Sequence, residues 1–136
     1  KKKYTFRGIH LQIKPYEQAK LVRVISGSII DYVVDLRKKS KTFGKKIEIK
    51  MNVDDNYLLY ISEGFGHGFL TLKNNTIINY KVSKFYSLKH SATILFDDKK
   101  INLNLSKNIK SNLILSKKDK KGILLNEFKK NIYEIK

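Results

Sequence analysis

The chain of 136 residues contains no cysteine, and this absence removes several kinds of chemistry at once. Disulfide bonds, thiolate nucleophiles and cysteine-ligated zinc are all excluded. Tryptophan is also absent, and Pro15 is the only proline, so no proline-rich linker divides the sequence. With no internal repeat and no shift of composition, residues 1–136 are predicted to form one domain.

Long apolar runs are missing as well. No stretch reaches the roughly 18 apolar residues that a membrane-spanning helix requires, so no such helix is predicted. No secretory signal is recognisable, and together with the lack of cysteine this indicates a cytoplasmic protein. Hydrophobic residues nevertheless make up 41% of the chain, which is enough for a buried core.

Acidic residues are scarce, with 12 Asp and Glu against 29 Lys and Arg and a formal charge of +17. A basic chain of this kind suggests nucleic-acid binding. Only three of the basic residues are Arg, however, whereas surfaces that grip phosphate favour the bidentate guanidinium. We therefore attribute the charge to biased residue usage and expect no nucleic-acid partner, although a positive surface still attracts anionic small molecules.

Short β-rich runs separated by turn residues account for most of the chain. After the segment at residues 6–12, strands are predicted at 20–26, 29–36, 45–51, 57–61, 68–72, 76–82, 92–96 and 101–105. Many short strands at regular spacing favour a sandwich or barrel, so an all-β jelly roll is predicted. A short C-terminal helix is also predicted, because four apolar residues share one helical stripe: Leu124, Leu125, Phe128 and Ile132.

In the first segment, FRGIHLQ, apolar side chains alternate with His10 and Gln12, which is the period of a half-buried strand. His10 is a candidate general base, because imidazole titrates near neutral pH. From the residues alone, a core histidine with a satisfied hydrogen bond is an equally good interpretation. Strict alternation places Arg7 on the opposite face from His10 unless Gly8 introduces a bulge.

Three other residues allow both a functional and a structural interpretation. His67 lies among three glycines in GFGHGF, which indicates close backbone packing and favours a structural role. Tyr80 ends a predicted strand, where tyrosine usually packs. Asp119, three residues after Ser116, either completes a capping box or orients a histidine. No metal site is expected, because the chain has only three histidines and they are not paired at ligand spacing.

Taken together, these segments resemble the dTDP-4-dehydrorhamnose 3,5-epimerase family of cupin-type nucleotide-sugar epimerases. The resemblance is carried by RGIHLQ, VDLR followed by SKTFG, GFGHGF, INYK and LSKKD, which occur in the order typical of the family and cover nearly the whole chain. Family members usually have a longer N-terminal arm that helps to hold the nucleotide. The chain is therefore expected to be a short or N-terminally truncated member.

The resemblance implies an epimerase that acts on a nucleotide-linked 4-keto-6-deoxyhexose, with dTDP as the expected nucleotide. A base removes the proton beside the ketone to give an enolate, and an acid returns a proton on the opposite face. C3 is inverted by this route, and C5 as well in some members. No cofactor is needed, because the ketone of the substrate accepts the electrons. A homodimer and a place in rhamnose and polysaccharide biosynthesis are also implied.

The matched motifs also imply roles for individual residues. His10 corresponds to the general base, Asp119 to the carboxylate paired with it, Tyr80 to the acid on the opposite face, and Lys20 to a cation beside the enolate oxygen.

The expected substrate-binding residues are Arg7 at the diphosphate, Gln12 in the cavity and His67 near it, with no chemical step assigned to His67. The alternative, from another functional class, is a catalytically silent module that only binds a nucleotide sugar.

Overall fold

The computed structural model describes residues 1–131, which are dominated by two antiparallel sheets. The larger sheet has the strand order β4-β3-β6-β1-β8, and the smaller sheet has the order β5-β2-β7. The strands are β1 (Phe6–Gln12), β2 (Lys20–Ser26), β3 (Ser28–Asp35), β4 (Lys46–Asn52), β5 (Leu59–Ile61), β6 (Phe65–Thr71), β7 (Ile77–Val82) and β8 (Ser91–Thr93).

Helices are few and short, which confirms the predicted all-β class with a C-terminal helix. They are α1 (Lys107–Ser111), α2 (Leu125–Asn131) and the 3-10 helices Val53–Asp55, Leu88–His90 and Asp119–Lys121. Leu125 and Phe128 of the predicted stripe are buried, Leu124 is exposed, and Ile132 lies outside the described residues. Within residues 1–131, no helix is long and apolar enough to cross a membrane.

The larger sheet is covered on both faces. One face packs against the segment from Ile94 to Phe128, and Phe6, Ile9 and Leu70 belong to this main core. The other face meets the smaller sheet through two further apolar clusters, which contain Phe69 and Val33. Since side chains alternate between faces along a strand, the polar residues of β1, β3 and β6 that alternate with the main core point into the space between the sheets.

The strand predicted at residues 101–105 is wrong. Its apolar residues Ile101, Leu103 and Leu105 are buried in the main core, as their alternation requires. Asn102 and Asn104 between them, however, adopt positive φ angles of 47° and 51°. A left-handed residue turns the backbone away from the extended conformation, so this segment forms no strand. The two-residue period thus indicated burial without indicating a strand.

The other predicted boundaries differ from the structure mostly by one or two residues. The β2 prediction at 20–26 is confirmed, while β6 begins earlier than expected, at Phe65, and β8 ends earlier, at Thr93. Helix α1 was not predicted; Ser106 caps it, its Oγ accepting a hydrogen bond from the Ile109 N–H at 3.3 Å.

The VDLR and SKTFG segments form a clasp at the end of β3. The Asp35 carboxylate accepts hydrogen bonds from Arg37 Nε at 2.9 Å, Ser40 Oγ at 2.6 Å and Thr42 Oγ1 at 2.6 Å. The hydrogen bond from Arg37 is the largest influence, and these bonds outweigh burial and hold the pKa of Asp35 well below its usual range. The clasp fixes the turn between β3 and β4.

Candidate active site

A cavity of about 560 Å³ opens between the two sheets. Six of the seven predicted site residues line it: Arg7, His10, Gln12, Lys20, His67 and Tyr80. The seventh, Asp119, is fully buried behind the wall that carries His10. The structure therefore brings six of the predicted residues to one cavity and places the seventh in contact with His10.

His10 and Asp119 form a close pair, with 2.7 Å between Nε2 of the imidazole and Oδ1 of the carboxylate. The His10 side chain is 30% exposed, whereas Asp119 is fully buried. An ionised carboxylate only accepts hydrogen bonds, so the neutral imidazole carries its proton on Nε2 and Nδ1 is its basic nitrogen. The pair thus has the arrangement of an oriented general base.

Asp119 serves both of the roles that its sequence left open. Its Oδ1 accepts hydrogen bonds from His10 and from the Gly8 N–H at 3.3 Å. Its Oδ2 accepts bonds from the Ser116 hydroxyl at 2.5 Å and the Ser116 N–H at 3.3 Å, while the Asp119 N–H donates to Ser116 Oγ at 3.1 Å. This exchange is the pattern of a capping box. One oxygen therefore holds the turn and the other holds the histidine.

The hydrogen bonds also decide the charge of Asp119. Burial raises the pKa of this carboxyl, but the bonds from His10, Ser116 and the Gly8 backbone outweigh burial and lower the pKa to about 2. The carboxylate is consequently ionised across the neutral range. It can stabilise a positive charge that forms on the His10 ring.

Gly8 brings Arg7 to the same cavity. The pairing of β1 with β6 shifts register between Arg7 and His10, and Gly8 has a φ of +132°. A Cβ at Gly8 would lie 2.4 Å from the Cα of Gly68, so the two backbones approach closely. The bulge that the sequence allowed at Gly8 is present, and the predicted close packing near His67 is confirmed. Arg7 Nη1 lies 3.8 Å from Oδ2 of Asp119.

Lys20 at the start of β2 is 9% exposed, and its Nζ donates a hydrogen bond to the His10 carbonyl at 3.3 Å. Burial lowers the pKa of this ammonium to about 8; nearby Asp31 raises it and nearby Lys118 lowers it further. Lys20 therefore supplies a partly desolvated positive charge on the cavity wall.

A second carboxylate–imidazole pair, His67 with Asp31, lies beside the first. His67 on β6 is the cross-strand partner of His10, and its Nε2 lies 2.8 Å from Oδ2 of Asp31. The His67 side chain is only 8% exposed, and Asp31 is fully buried. Asp31 was not singled out in the sequence, because DYVVD gives no sign that its first aspartate faces a histidine 36 residues away.

Gln12 uses both ends of its amide to hold the segment before β2 and the segment after β7. Nε2 donates to the carbonyls of Tyr16 at 2.8 Å and Phe85 at 3.2 Å, and Oε1 accepts from the Ser87 N–H at 2.5 Å. Gln12 therefore shapes the cavity by fixing its rim.

Tyr80 lies on β7 and lines the cavity from the smaller sheet, whereas His10 lines it from the larger sheet. Tyr80 is 57% exposed and lines the cavity, so it is accessible to a ligand and to water. A base and a phenol thus face one cavity from different walls.

Tyr86 and Lys118 are among the lining residues that were not identified from the sequence. Lys118 Nζ donates hydrogen bonds to the Tyr86 hydroxyl at 3.3 Å and to Ser91 Oγ at 2.9 Å. The hydrogen bond with Ser91 is the largest influence and, helped by Lys118 and opposed by burial, lowers the pKa of Tyr86. The position of Lys118, one residue before Asp119, was the available signal.

The charges around the cavity favour an anionic ligand. Arg7, Lys20, Lys118 and Lys1 line it, while Asp31 and Asp119 are fully buried. In the part of the chain that the structure describes, no group of three or more His, Asp or Glu side chains is placed to hold a metal ion. The arrangement provides an oriented base, a phenol and cations around one space.

Sequence comparison points to one family. A family model described as dTDP-4-dehydrorhamnose 3,5-epimerase matches residues 1–127. The dTDP-4-dehydrorhamnose 3,5-epimerase of Sinorhizobium fredii is 41% identical over 103 residues, which are 76% of this chain. The matched region is 53% of that protein, so the chain spans about half the length of this curated relative.

Solved structures agree with the cupin-type fold. One similar structure is the dTDP-6-deoxy-D-glucose-3,5-epimerase of Legionella pneumophila in complex with dTDP-4-keto-L-rhamnose. It superposes with a TM-score of 0.84 at 31% sequence identity, and the match covers 92% of this chain and 65% of that protein's chain. Another is a 3'-monoepimerase of Streptomyces bikiniensis in complex with dTDP-quinovose. Its TM-score is 0.83 at 28% sequence identity, and the match covers 92% of this chain and 62% of that protein's chain.

Proposed function

The chain belongs to the dTDP-4-dehydrorhamnose 3,5-epimerase family, and we propose that it is an epimerase that inverts C3 of a nucleotide-linked 4-keto-6-deoxyhexose. The observation that carries this proposal is the placement of the His10–Asp119 pair and Tyr80 on different walls of one cationic cavity. Inversion of a carbon beside a ketone needs a base on one face and an acid on the other.

In the first step, Nδ1 of His10 takes the proton from C3, and the electrons of the C–H bond move toward the ketone oxygen to form an enolate. Asp119 stabilises the imidazolium, because it is ionised and holds Nε2–H at 2.7 Å. Lys20 lies beside His10 and stabilises the negative charge on the enolate oxygen.

In the second step, Tyr80 donates its phenolic proton to C3 on the other face of the sugar ring. The new C–H bond forms as the O–H bond breaks, and the enolate returns to the ketone. Since the phenol is more than half exposed, the phenolate can regain a proton from water while His10 releases its own. Base and acid are thus restored without any cofactor.

A dTDP-linked sugar is the substrate that we infer, with the diphosphate near Arg7. The dTDP-linked ligands of the two similar structures support this nucleotide, and the cluster of cations around the cavity supports a diphosphate. Gln12 and His67 complete the binding walls. A nucleotide-linked deoxysugar of this kind supplies polysaccharide synthesis, such as that of rhamnose-containing polymers.

We further infer that the chain acts as one domain in a cytoplasmic homodimer. Large apolar side chains are exposed on and near the smaller sheet, namely Tyr60, Ile77, Val82 and Phe85. Exposed apolar groups of this size favour coverage by a second copy. Sedimentation analysis tests the assembly, and a monomer at micromolar concentration would contradict it.

Proton exchange in heavy water tests the reaction. With dTDP-4-keto-6-deoxyglucose, we expect deuterium at C3 by proton NMR and mass spectrometry; deuterium at C5 as well would identify a 3,5-epimerase. Absence of exchange, repeated with GDP- and CDP-linked 4-keto sugars, would favour the silent binding module instead.

Tyr80→Phe separates the two steps. We expect this variant to keep proton abstraction, measured as exchange, while it loses most of the inversion, because it retains the base but lacks the phenolic proton. If abstraction and inversion fall together, Tyr80 is a binding residue rather than the acid.

A further inference from the structure

The side-chain amide of Gln12 bonds to the backbone on both sides of one residue at the cavity rim. Its Nε2 donates to the carbonyl of Phe85 at 3.2 Å, and its Oε1 accepts from the N–H of Ser87 at 2.5 Å. The residue between these two backbone groups is Tyr86, which is 60% exposed and lines the cavity. One buried side chain therefore fixes the backbone before and after an aromatic residue that a ligand can reach.

The backbone at this point requires partners from a side chain. Residues 85–87 lie between β7 and the 3-10 helix Leu88–His90 and belong to neither element. Polar groups of the backbone need hydrogen-bond partners wherever they are shielded from water. A side-chain amide can supply both kinds of partner, because it carries a carbonyl and N–H donors. Gln12 thus takes the place of a neighbouring strand for this stretch.

Other contacts hold the two ends of the rim segment, which we define as residues 83–90. At its start, the Ser83 N–H donates to the Ala19 carbonyl at 3.1 Å. At its end, the His90 carbonyl accepts from the Ile13 N–H at 2.9 Å. The contribution of Gln12 is therefore to the middle of the segment, where Tyr86 lies.

The other end of the Tyr86 side chain lies beside the catalytic pair. Lys118 Nζ donates to the Tyr86 hydroxyl at 3.3 Å and lies 5.4 Å from the centroid of the ring. Lys118 directly precedes Asp119, the partner of His10. Gln12 follows His10 by two residues in β1, so both side chains lie on one face of the strand. The same two segments therefore hold the proposed base and the rim.

We propose that Gln12 is a positioning residue for Tyr86, which fixes where this ring meets the ligand relative to His10. Both N–H donors of Gln12 are used within the protein, on the carbonyls of Phe85 and Tyr16. Its effect on the ligand therefore passes through Tyr86. This role rests on the proposed function, because a fixed ring aids the reaction only if a nucleotide sugar binds in this cavity.

The direct test measures the motion of the rim without any substrate. The chain has no tryptophan, so Tyr86→Trp introduces a single indole at the rim. Gln12→Met removes all three hydrogen bonds of the amide and keeps a side chain of similar length. When it is added to Tyr86→Trp, we expect a larger nanosecond phase in the fluorescence anisotropy decay, because residue 86 is no longer held on both sides. An unchanged decay would overturn the proposal.

Gln18→Met is the matched control. Gln18 also lines the cavity, and its Nε2 donates to the carbonyl of Lys84 at 2.6 Å, which lies two residues before Tyr86. We expect this variant to leave the anisotropy decay of the indole unchanged. An equal gain of motion in both variants would mean that any lost bond loosens the rim segment, and the specific role of Gln12 would be wrong.

Kinetics test whether Gln12 acts through Tyr86. With dTDP-4-keto-6-deoxyglucose, Gln12→Met should raise KM by about tenfold and change kcat by less than about threefold, because the ring is displaced while the base stays. In a Tyr86→Ala background, the same substitution should change KM by less than about twofold. Additive effects would mean that Gln12 meets the ligand itself, and a loss confined to kcat would also contradict the proposal.

The two measurements distinguish this inference from the proposed function. If the wild-type protein exchanges no proton of any 4-keto sugar tested, the proposed function fails. The anisotropy decay still decides whether Gln12 fixes the position of Tyr86, since it requires no turnover.

A second variant covers a folding defect. If Gln12→Met does not fold, Gln12→Glu takes its place, because the carboxylate still accepts from the Ser87 N–H but donates to neither carbonyl. We expect the same gain of indole motion, since Phe85 loses its donor. An indole as ordered as in the Tyr86→Trp parent would refute the proposal.

Discussion

Two carboxylate–imidazole pairs of nearly equal length lie on neighbouring strands, and their surroundings differ. Nε2 of His10 is 2.7 Å from Asp119, and Nε2 of His67 is 2.8 Å from Asp31. Both carboxylates are fully buried, but the His10 side chain is 30% exposed and that of His67 only 8%. Access to the cavity therefore distinguishes a ring that can exchange protons with a ligand from one that cannot do so easily.

The carboxylates differ as well. Both oxygens of Asp119 accept hydrogen bonds, from His10, Ser116 and Gly8, whereas Oδ1 of Asp31 has no partner within the described residues. Asp119 therefore holds the turn at Ser116 as well as its imidazole, whereas the contact with His67 is the one side-chain hydrogen bond of Asp31 among the described residues.

The largest expected difference between the pairs is catalytic. His10→Ala should reduce deuterium exchange from dTDP-4-keto-6-deoxyglucose by about 10²- to 10⁴-fold, because it removes the proposed general base. Binding of dTDP, measured by calorimetry, should persist, since the cationic residues are untouched. Near wild-type exchange in this variant would assign the base to another residue, with His67 as the first candidate.

The next largest loss of turnover is expected from Asp119, the carboxylate of the first pair. Asp119→Asn is expected to reduce turnover by about 10²-fold or more, because the amide no longer enforces the Nε2–H tautomer or stabilises the imidazolium. The depressed pKa of Asp119 contributes stability that is present above pH 3.8 and is lost as pH falls through about 2. At neutral pH the variant should therefore lose about 2 kcal/mol of unfolding free energy.

Ser116→Ala is the control for Asp119. It removes the hydroxyl bonded to Oδ2 but leaves the bond between Oδ1 and His10. Loss of the cap should cost about 1 kcal/mol with a much smaller fall in turnover. If both variants lose stability and activity in the same proportion, Asp119 acts only as a cap.

The second pair should matter more for stability than for catalysis. His67→Ala leaves the buried Asp31 carboxylate without its donor and should cost about 3 kcal/mol or more in urea unfolding. Exchange at C3, measured on the folded fraction, should fall less than in His10→Ala. A stable variant with abolished exchange would show that His67 takes part in the chemistry.

The last expected effect concerns Lys20, beside the first pair. Because its pKa is about 8 in the folded protein, against 10.5 for a lysine in water, the unfolded chain binds more protons between these values, and stability rises with pH across this window. Lys20→Met should remove this rise and should stabilise the protein at pH 7 by up to about 3 kcal/mol. Lower turnover at unchanged or greater stability is the expected combination, measured by urea unfolding across about pH 6–10. A loss of stability would show that the burial of Lys20 is compensated by its contacts.

Much of the fold followed from local patterns. Period-two alternation and turn residues predicted β2 and most other strands, because pleated backbone places successive side chains on opposite faces. The same rule failed at residues 101–105, where the left-handed Asn102 and Asn104 separate buried residues without a strand. Alternation reports which side chains are buried, and backbone conformation is a separate property.

The sequence predicted some residues of the candidate site and missed others. His10, Lys20 and Tyr80 were identified through motifs that resemble the family, and the structure places all three around one cavity. Asp31 and Lys118 were missed, because neither has a local pattern that distinguishes it from a structural or surface charge. Their importance depends on contacts with residues far away in the chain.

The sequence by itself determined the all-β class, the absence of thiol chemistry and the residues able to act as base, acid and cation. Tertiary structure alone decided which of them meet: His10 and Asp119 are 109 residues apart in sequence, yet their side-chain atoms lie 2.7 Å apart. It also decided that Asp31 stays buried with one oxygen that has no partner among the residues the structure describes. The physical reason is that charge state depends on burial and on neighbouring charges, and both are properties of the folded chain.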